Sequence, residues 1–559
     1  MNTEETNVEM KDAPGRDAEP KEEPKEEAAA DADATEADVS EADLDQEEQE
    51  KQPMTGGGDR AADAPSASEE EVTVTVSAAE KNGSVKLKIP DEDGAQEVKF
   101  TGLNKEELLR VAGTPGWVRT RWALLVVFWL GWCGMLGGAV LIIIRAPRCR
   151  DLPPTNWWND GPLYQVGDVP AFSGDLKGLE QKLDSVSQLK VKGLVVGPIH
   201  VAPPNEAMNL KFEEISSEVG NLEQFKSFVK AAHKKGISVV LDLTPNYRGY
   251  EPWFSNGSVT NVAERLKSAL VFWLSEGVDG VQLSGVERVA SVVPSLWADI
   301  QAIVQNGTNE RPSSRVLIGV TDRSSAEDVS SLLSTTGVNL LVSNVLLPRN
   351  KDATERAQSI QRLYSSHGPL KLAWSIGGRA QGHLASLVGR ARVNLNQLLL
   401  MTLPGTPVFN YGDEIGLVDE GKFPKMLWDS DEELNGTLQE DRAERLSCRR
   451  FFQTLSELRV KDRSLRFGDF HLLSNSSSFL AYLRVWDQND RYLAAFNWAE
   501  EEEEEVVLTP PPSDVAPPRY VTVVLSTNSS VLPRDASVDL TKLKLGPGQA
   551  ALLKFPYPG

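Results

Sequence analysis

The feature that most constrains this chain is the run Trp122–Cys149, WALLVVFWLGWCGMLGGAVLIIIRAPRC. No charged residue lies between Arg121 and Arg145, an interval longer than the ~20 residues with which a helix crosses the hydrocarbon core of a bilayer. It is too long and too far from the N-terminus for a secretory signal peptide. A helix buried in a soluble core rarely runs so far without a charge. The spacing predicts a transmembrane helix over residues 122–145, with Trp122 at the interfacial level. Gly134 and Gly138 form a G-x-x-x-G, a face that another backbone could approach closely. Cys149 follows in Arg145-Ala-Pro-Arg-Cys-Arg150, within a turn or two of the membrane surface.

The two sides of this span differ in kind. Residues 1–100 are mostly Glu, Asp, Ala and Pro; such a segment buries too little apolar surface to offset its ordering entropy and reads as a disordered acidic arm. Residues 101–121 read as a juxtamembrane linker with a short helix over Lys105–Val111, capped by Asn104 and broken at Thr114-Pro-Gly. Arginines flank the span about equally on both sides, so charge does not orient it. Sequons do better. Asn256, Asn306, Asn435, Asn475 and Asn528 each open an Asn-x-Ser/Thr after the span, against Asn82 alone before it. A long hydrophilic arm ahead of the span reads as a signal anchor, so a single-pass type II protein is expected: N-terminus cytosolic, C-terminal ectodomain extracellular, at the plasma membrane. The net charge of −23 leaves no basic surplus for neutralising phosphates, which excludes nucleic acid as a partner. Five histidines without Cys/His ligand spacing predict neither metal nor cofactor, and three cysteines, one inside the span, rule out an internal disulfide framework.

After a neck over residues 146–160, short apolar runs alternate with helical patterns from 161 to 462. Strands are expected at Leu163–Gln165, Gly193–Val196, Ser238–Leu243, Gly280–Leu283, Val316–Val320, Leu340–Val342, Leu370–Trp374 and Val408–Asn410. Helices are expected at Leu176–Leu189, Asn221–Lys235, Val262–Glu276, Val292–Gln305 and Leu384–Thr402. About eight strand–helix units in series predict a closed parallel (β/α)8 TIM barrel, with a doubly wound open sheet as the alternative. Residues 463–559 carry period-2 runs at Leu480–Val485, Tyr492–Asn497, Val506–Leu508, Tyr520–Leu525 and Ala550–Phe555. These predict an antiparallel β-sandwich. The carboxylates of Glu500–Glu505 repel one another and are expected in a solvated turn.

Three stretches carry a resemblance to the α-amylase glycoside hydrolase family. Thr402-Leu-Pro-Gly-Thr-Pro-Val-Phe-Asn-Tyr-Gly-Asp-Glu-Ile-Gly416 resembles its eighth-strand segment, Leu241-Asp-Leu-Thr-Pro-Asn-Tyr247 its third, and Gly277-Val-Asp-Gly-Val-Gln-Leu-Ser284 its fourth. The resemblance implies an Asp nucleophile closing strand four, two residues after an Arg. Gln282 and Ser284 stand at those positions. The acid/base Glu implied at the end of strand five has no counterpart after Gly319 in Ile318-Gly-Val-Thr321. Asp242 and Asn246 persist, Tyr247 replaces a His, and the seventh-strand His-Asp gives way to Trp374-Ser-Ile-Gly-Gly378. Retaining hydrolysis needs two carboxyl groups ~5 Å apart. A serine at 284 can neither form the glycosyl ester nor stabilise an oxocarbenium charge, so no catalytic residues are assigned and a dead barrel is expected. Only about 15 residues follow Asn246 before the next expected helix, a plain loop without the family's insertion after strand three.

Cytosolic arm, single span, juxtamembrane cysteine and amylase-like ectodomain together resemble the heavy chains of the heteromeric amino-acid transporters. The resemblance is sharpest at Pro115-Gly-Trp-Val-Arg-Thr-Arg-Trp122, Arg145-Ala-Pro-Arg-Cys-Arg150 and Trp486-Asp-Gln-Asn-Asp-Arg491. It implies that Cys149 is disulfide-linked to a multi-pass light chain which itself conducts amino acids. The role implied for this chain is to chaperone that subunit to the plasma membrane and hold it there. One helix in membrane lipid offers no enclosed polar path, so the chain itself is no pore. Two other readings stand beside this one: a membrane-anchored α-glucosidase, and a cell-surface adhesion or signalling subunit partnering integrin-type receptors.

Overall fold

The computed structural model describes residues 104–146, 148–305, 315–348, 352–428, 436–501, 504–505 and 516–558. The acidic arm and the expected strand Val506–Leu508 lie outside them. Helix α1, Lys105–Ala112, is capped by the Asn104 side chain, as expected, and ends at Gly113. Helix α2 runs over Pro115–Arg145 and therefore starts before Trp122. Proline suits a first helical turn, whose N–H groups have no intrahelical acceptor. The helix then has nothing to stop it before the bilayer segment. None of its residues is buried within the chain.

Eight parallel strands close a barrel in sequential order. They are β1 Leu163–Val166, β2 Gly193–Val196, β3 Ser238–Asp242, β4 Gly280–Ser284, β5 Val316–Val320, β6 Leu340–Val342, β7 Leu372–Trp374 and β8 Thr406–Asn410. β8 returns to β1 with Val408 opposite Leu163, which excludes the open sheet. Leu163, Val195, Val240, Val316, Leu340 and Val408 fill the interior. Because side chains alternate along a strand, the next inward position towards the C-terminal mouth falls on Gln165, Asp242 and Asn410.

The helices depart from expectation where the backbone cannot continue. Leu176–Leu189 is two helices, Leu176–Gln181 and Leu183–Gln188. The helix expected over Val292–Gln305 starts at Pro294, and a separate helix, Val286–Val292, precedes it, since a proline has no N–H to extend the first helix. Leu384–Thr402 is interrupted at Gly389, whose φ of +81° only glycine adopts readily. Conversely, the helix expected from Val262 begins at Asn256, which shortens the loop after β3 further. Ala326–Thr336 and Ala353–His367 are helices that the apolar pattern missed, and Gly436–Lys461 is the last helix of the barrel.

The C-terminal part is a six-stranded antiparallel sheet with a separate two-stranded piece, Glu504–Glu505 against Lys544–Leu545. Its strands are β9 Asp469–Asn475, β10 Phe479–Val485, β11 Arg491–Asn497, β12 Tyr520–Ser526, β13 Ser537–Asp539 and β14 Ala550–Phe555. The end of the acidic run thus pairs as a short strand. Both faces of the six-stranded sheet are covered. Phe470, Tyr482, Phe496 and Leu552 share one core with Leu398 and Phe452 of the barrel's last helices, and Leu483, Leu493 and Leu553 pack with Leu540 and Leu543 on the other face.

Two buried arginines hold the segment before β8, Arg459 from the barrel's last helix and Arg484 from the sheet. Arg459 donates to the carbonyls of Met401 (3.2 Å), Leu403 (2.8 Å) and Gly405. Arg484, on β10, donates to Thr402 O at 2.5 Å and to Gly468 O at 3.0 Å. Tyr482 and Thr402 share a hydroxyl–hydroxyl hydrogen bond of 2.6 Å. The segment leading into β8 is thereby held by side chains from both sides.

Candidate functional site

At the barrel mouth Asp242 closes β3 and is buried. One carboxylate oxygen accepts from Thr244 N at 2.8 Å, and the other from Gln282 Nε2 at 2.9 Å. Gln282 Oε1 accepts in turn from Gln165 Nε2 at 3.0 Å. A carboxylate and two amides thus bridge β1, β4 and β3 across the barrel. Burial pushes the Asp242 carboxyl above its usual range, against the pull of these donors and of Arg379.

Ser284, where the resemblance implies a nucleophile, is engaged in the wall. Its hydroxyl accepts from Thr244 Oγ1 (3.2 Å), its N–H donates to the same oxygen (3.0 Å), and its carbonyl accepts from Trp253 Nε1 (2.8 Å). Asn246 takes no part in this chain of bonds. Its side chain joins loops instead, accepting from Asn205 N at 2.9 Å and donating to Glu251 O at 2.7 Å. Tyr247 donates its hydroxyl to His200 O at 2.9 Å, and the Arg379 guanidinium stacks over its ring at 4.6 Å and over Phe423 at 5.2 Å. Gln165, Thr244 and Arg379 were not foreseen; an inward-facing Gln inside the strand Leu-Tyr-Gln-Val was the readable signal for the first.

The remaining acids lie elsewhere or hold loops. Asp279 precedes β4 at the opposite end of the strand and accepts from Val239 N at 2.7 Å. Glu287 reaches Thr321 Oγ1, just past β5, at 3.1 Å, but from a helix. Asp413 accepts from the N–H groups of Leu384 (2.9 Å) and Asn410 (2.8 Å), and Glu414 accepts from Tyr164 OH at 2.9 Å. Among the described residues no three His, Cys, Asp or Glu side chains are grouped to hold a metal ion.

At the other candidate site, Gly134 and Gly138 stand exposed on α2, and a methyl group on either would meet no atom of this chain within 4 Å. Cys149 is a free, exposed thiol in an irregular stretch after the helix. Its neighbour Arg150 is tied down: the N–H donates to Asp487 Oδ2 (3.2 Å), Nη1 to Asp469 Oδ2 (2.8 Å), and the guanidinium lies 4.8 Å from the Trp486 ring centre. Cys448 is buried, accepts from Gln397 Nε2 at 3.3 Å, and has its thiol pushed up to about 12 by burial. Of the sequons, Asn256 opens a helix, Asn475 ends β9, and Asn528 lies in the turn after β12. Asn306 and Asn435 lie outside the described residues.

Barrel, mouth and appended sheet define an amylase-type fold. Residues 154–261 match the alpha amylase catalytic domain family. A trehalulose synthase mutant superposes with a TM-score of 0.58 at 16% identity, covering 72% of this chain and 100% of that one. An Anoxybacillus alpha-amylase gives 0.57 at 17% identity, covering 72% and 99%. At these identities the likeness is one of fold. The span and its flanks narrow the assignment. Residues 86–164 match the family described as solute carrier family 3 member 2 N-terminus. The rabbit (Oryctolagus cuniculus) amino acid transporter heavy chain SLC3A2 is 42% identical over 530 residues, covering 91% of this chain and 96% of its own. The rat (Rattus norvegicus) heavy chain SLC3A1 is 24% identical, covering 84% and 88%. This chain belongs to the SLC3A2 family of amino acid transporter heavy chains.

Proposed function

We propose that the chain is a non-catalytic heavy subunit which forms a disulfide through Cys149 with a multi-pass amino-acid transporter light chain, brings it to the plasma membrane and stabilises it there. The carrying observation is the exposed thiol at Cys149, shortly beyond the end of α2 at Arg145. A cysteine there is within reach of a neighbouring membrane protein, and in an oxidising compartment two such thiols give up two electrons and two protons to become a disulfide. The arm is cytosolic in this reading, and the ectodomain with its sequons Asn256, Asn306, Asn435, Asn475 and Asn528 is extracellular.

The mouth supports a non-enzymatic role. Ser284 and Gln282 occupy the places of a nucleophile and its arginine, and their polar atoms are already bonded to Thr244, Asp242 and Gln165. The helix supplies a second contact, with Gly134 and Gly138 as the face for a partner helix. Cys149→Ser decides the matter. On non-reducing gels the unmutated chain should run with its partner and separate on reduction, whereas the variant should run alone. A covalent band that survives the substitution would overturn the assignment of Cys149.

A further inference from the structure

The neck offers more than a cysteine at the end of a tether. Residues 148–156 have no regular secondary structure, so without fixed contacts the thiol would sweep a wide volume. Arg150 supplies contacts of three kinds to two separate places on the sheet domain. Its side chain reaches Asp469 at the start of β9, while its guanidinium face and backbone N–H meet Trp486 and Asp487 in the turn after β10. That platform is itself fixed. Trp486 is buried with its ring against Phe467 at 5.6 Å, and the second Asp469 oxygen accepts from Tyr364 OH, on a barrel helix, at 3.5 Å. Asp487 is held at a φ of +44°, a conformation that Asp tolerates better than most residues.

Taken singly these contacts are weak. Both partners of the Arg150–Asp469 pair are about half exposed (54% and 46%), which screens the attraction, and an exposed cation–π contact is of similar size. Their convergence on one residue matters more than their sum. An ion pair fixes a distance, a stacked guanidinium fixes a plane, and a backbone N–H bond fixes the direction of the main chain. The peptide entering Arg150 from Cys149 is thereby oriented, and the Cys149 Cα stands ~3.8 Å from an anchored Cα.

We propose that Arg150 is the positioning residue of the interchain disulfide, setting through Asp469, Trp486 and Asp487 where the Cys149 thiol stands. This rests on the reading of Cys149 given above and adds a mechanism to it. A thiol held at one place meets its partner at a higher effective concentration than one on a loose tether. The clamp also links the disulfide to the integrity of the sheet domain, since Asp469 and Trp486 are placed only when β9 and β10 have folded.

The test uses the full chain in detergent, with Cys133→Ala and a methanethiosulfonate nitroxide on Cys149. The label should be immobilised in this background, partly released by Arg150→Lys, and mobile in Arg150→Ala, while the melting temperature of the ectodomain stays the same. In cells, pulse-labelled Arg150→Ala should form the covalent band with its co-purifying subunit several-fold more slowly than the unmutated chain. Equal label mobility in the parent and Arg150→Ala, or an unchanged rate of band formation, would overturn the clamp. Persistence of the band in Cys149→Ser would instead overturn the underlying reading, so the two failures are distinct.

Discussion

His200 is a fully buried imidazole lying against Phe212 and Tyr247, each ring centre 5.2 Å away. Desolvation lowers its pKa to about 3. In the unfolded chain it titrates near ~6.5. Between these values the unfolded state holds a proton that the folded state refuses, so stability falls as pH drops from about 6.5 towards 3. Asp242, Asp413 and Glu414 have folded pKa values raised by burial, so their contribution has the opposite sign and favours the folded state in acid. His200→Phe isolates the histidine. Melting temperatures measured from pH 7 to pH 4.5 should fall less steeply in the variant; parallel curves would show that His200 is not the sensor. At this scale, what was legible in the sequence were positions locked to a strand motif: Gln282 and Ser284 in β4 and Asp242 in β3. Arg379 and Arg150 were not, because their roles come from contacts across the chain. Arg150 meets Asp469 more than 300 residues away, and no local pattern encodes that meeting.

The elements were legible wherever burial and periodicity coincide. β2, β5, β6 and β14 fall on the expected residues because they are apolar runs bounded by turns. Helix ends were less legible, since a single dihedral decides them. Gly389 breaks the helix expected over Leu384–Thr402, and Ala326–Thr336 hides behind its Ser and Thr residues. Helix α2 is the element with the most to test. Bulk added at Gly134 and Gly138 meets nothing within the chain, so Gly134→Leu with Gly138→Leu should insert and fold normally. If the glycine face seats a partner helix, the doubly substituted chain should recover several-fold less light chain when Cys149→Ser removes the covalent link. Undiminished recovery would place the packing face elsewhere on the helix.

In the folded part after α2 as a whole, barrel and sheet share one continuous core, in which Tyr482 and Phe496 of the sheet belong with Leu398 and Phe452 of the barrel. The buried Arg484 guanidinium and the Tyr482 hydroxyl bond across their junction to Thr402. Residue 462 is thus a boundary in chain topology, but little of the energy divides there. Barrel and sheet together should melt in one transition by both circular dichroism and tryptophan fluorescence. A fragment ending at residue 462 should bind an apolar dye and lack a sharp melt, because removing the sheet uncovers the apolar face of Leu398 and Phe452 and takes the Arg484 guanidinium from the Thr402 carbonyl. A cooperative melt of that fragment would refute the shared core.

The bonds around Thr402–Gly405 also bear on why the amylase-like spelling is readable there and not at the mouth. On the non-catalytic reading proposed above, hydrolysis places no demand on the residues of the mouth. The serine at 284 needs only a neighbouring hydroxyl to satisfy it, and Thr244 provides one. The approach to β8 has no such freedom. The Thr402 hydroxyl meets Tyr482 across the joint between barrel and sheet, and Asp413 accepts from two backbone N–H groups, so a change of either side chain removes bonds that hold the fold. On that proposal the segment Thr402–Gly416 keeps its amylase-like spelling because it is masonry, and the ends of strands four and five have no need of the tools a hydrolase keeps there.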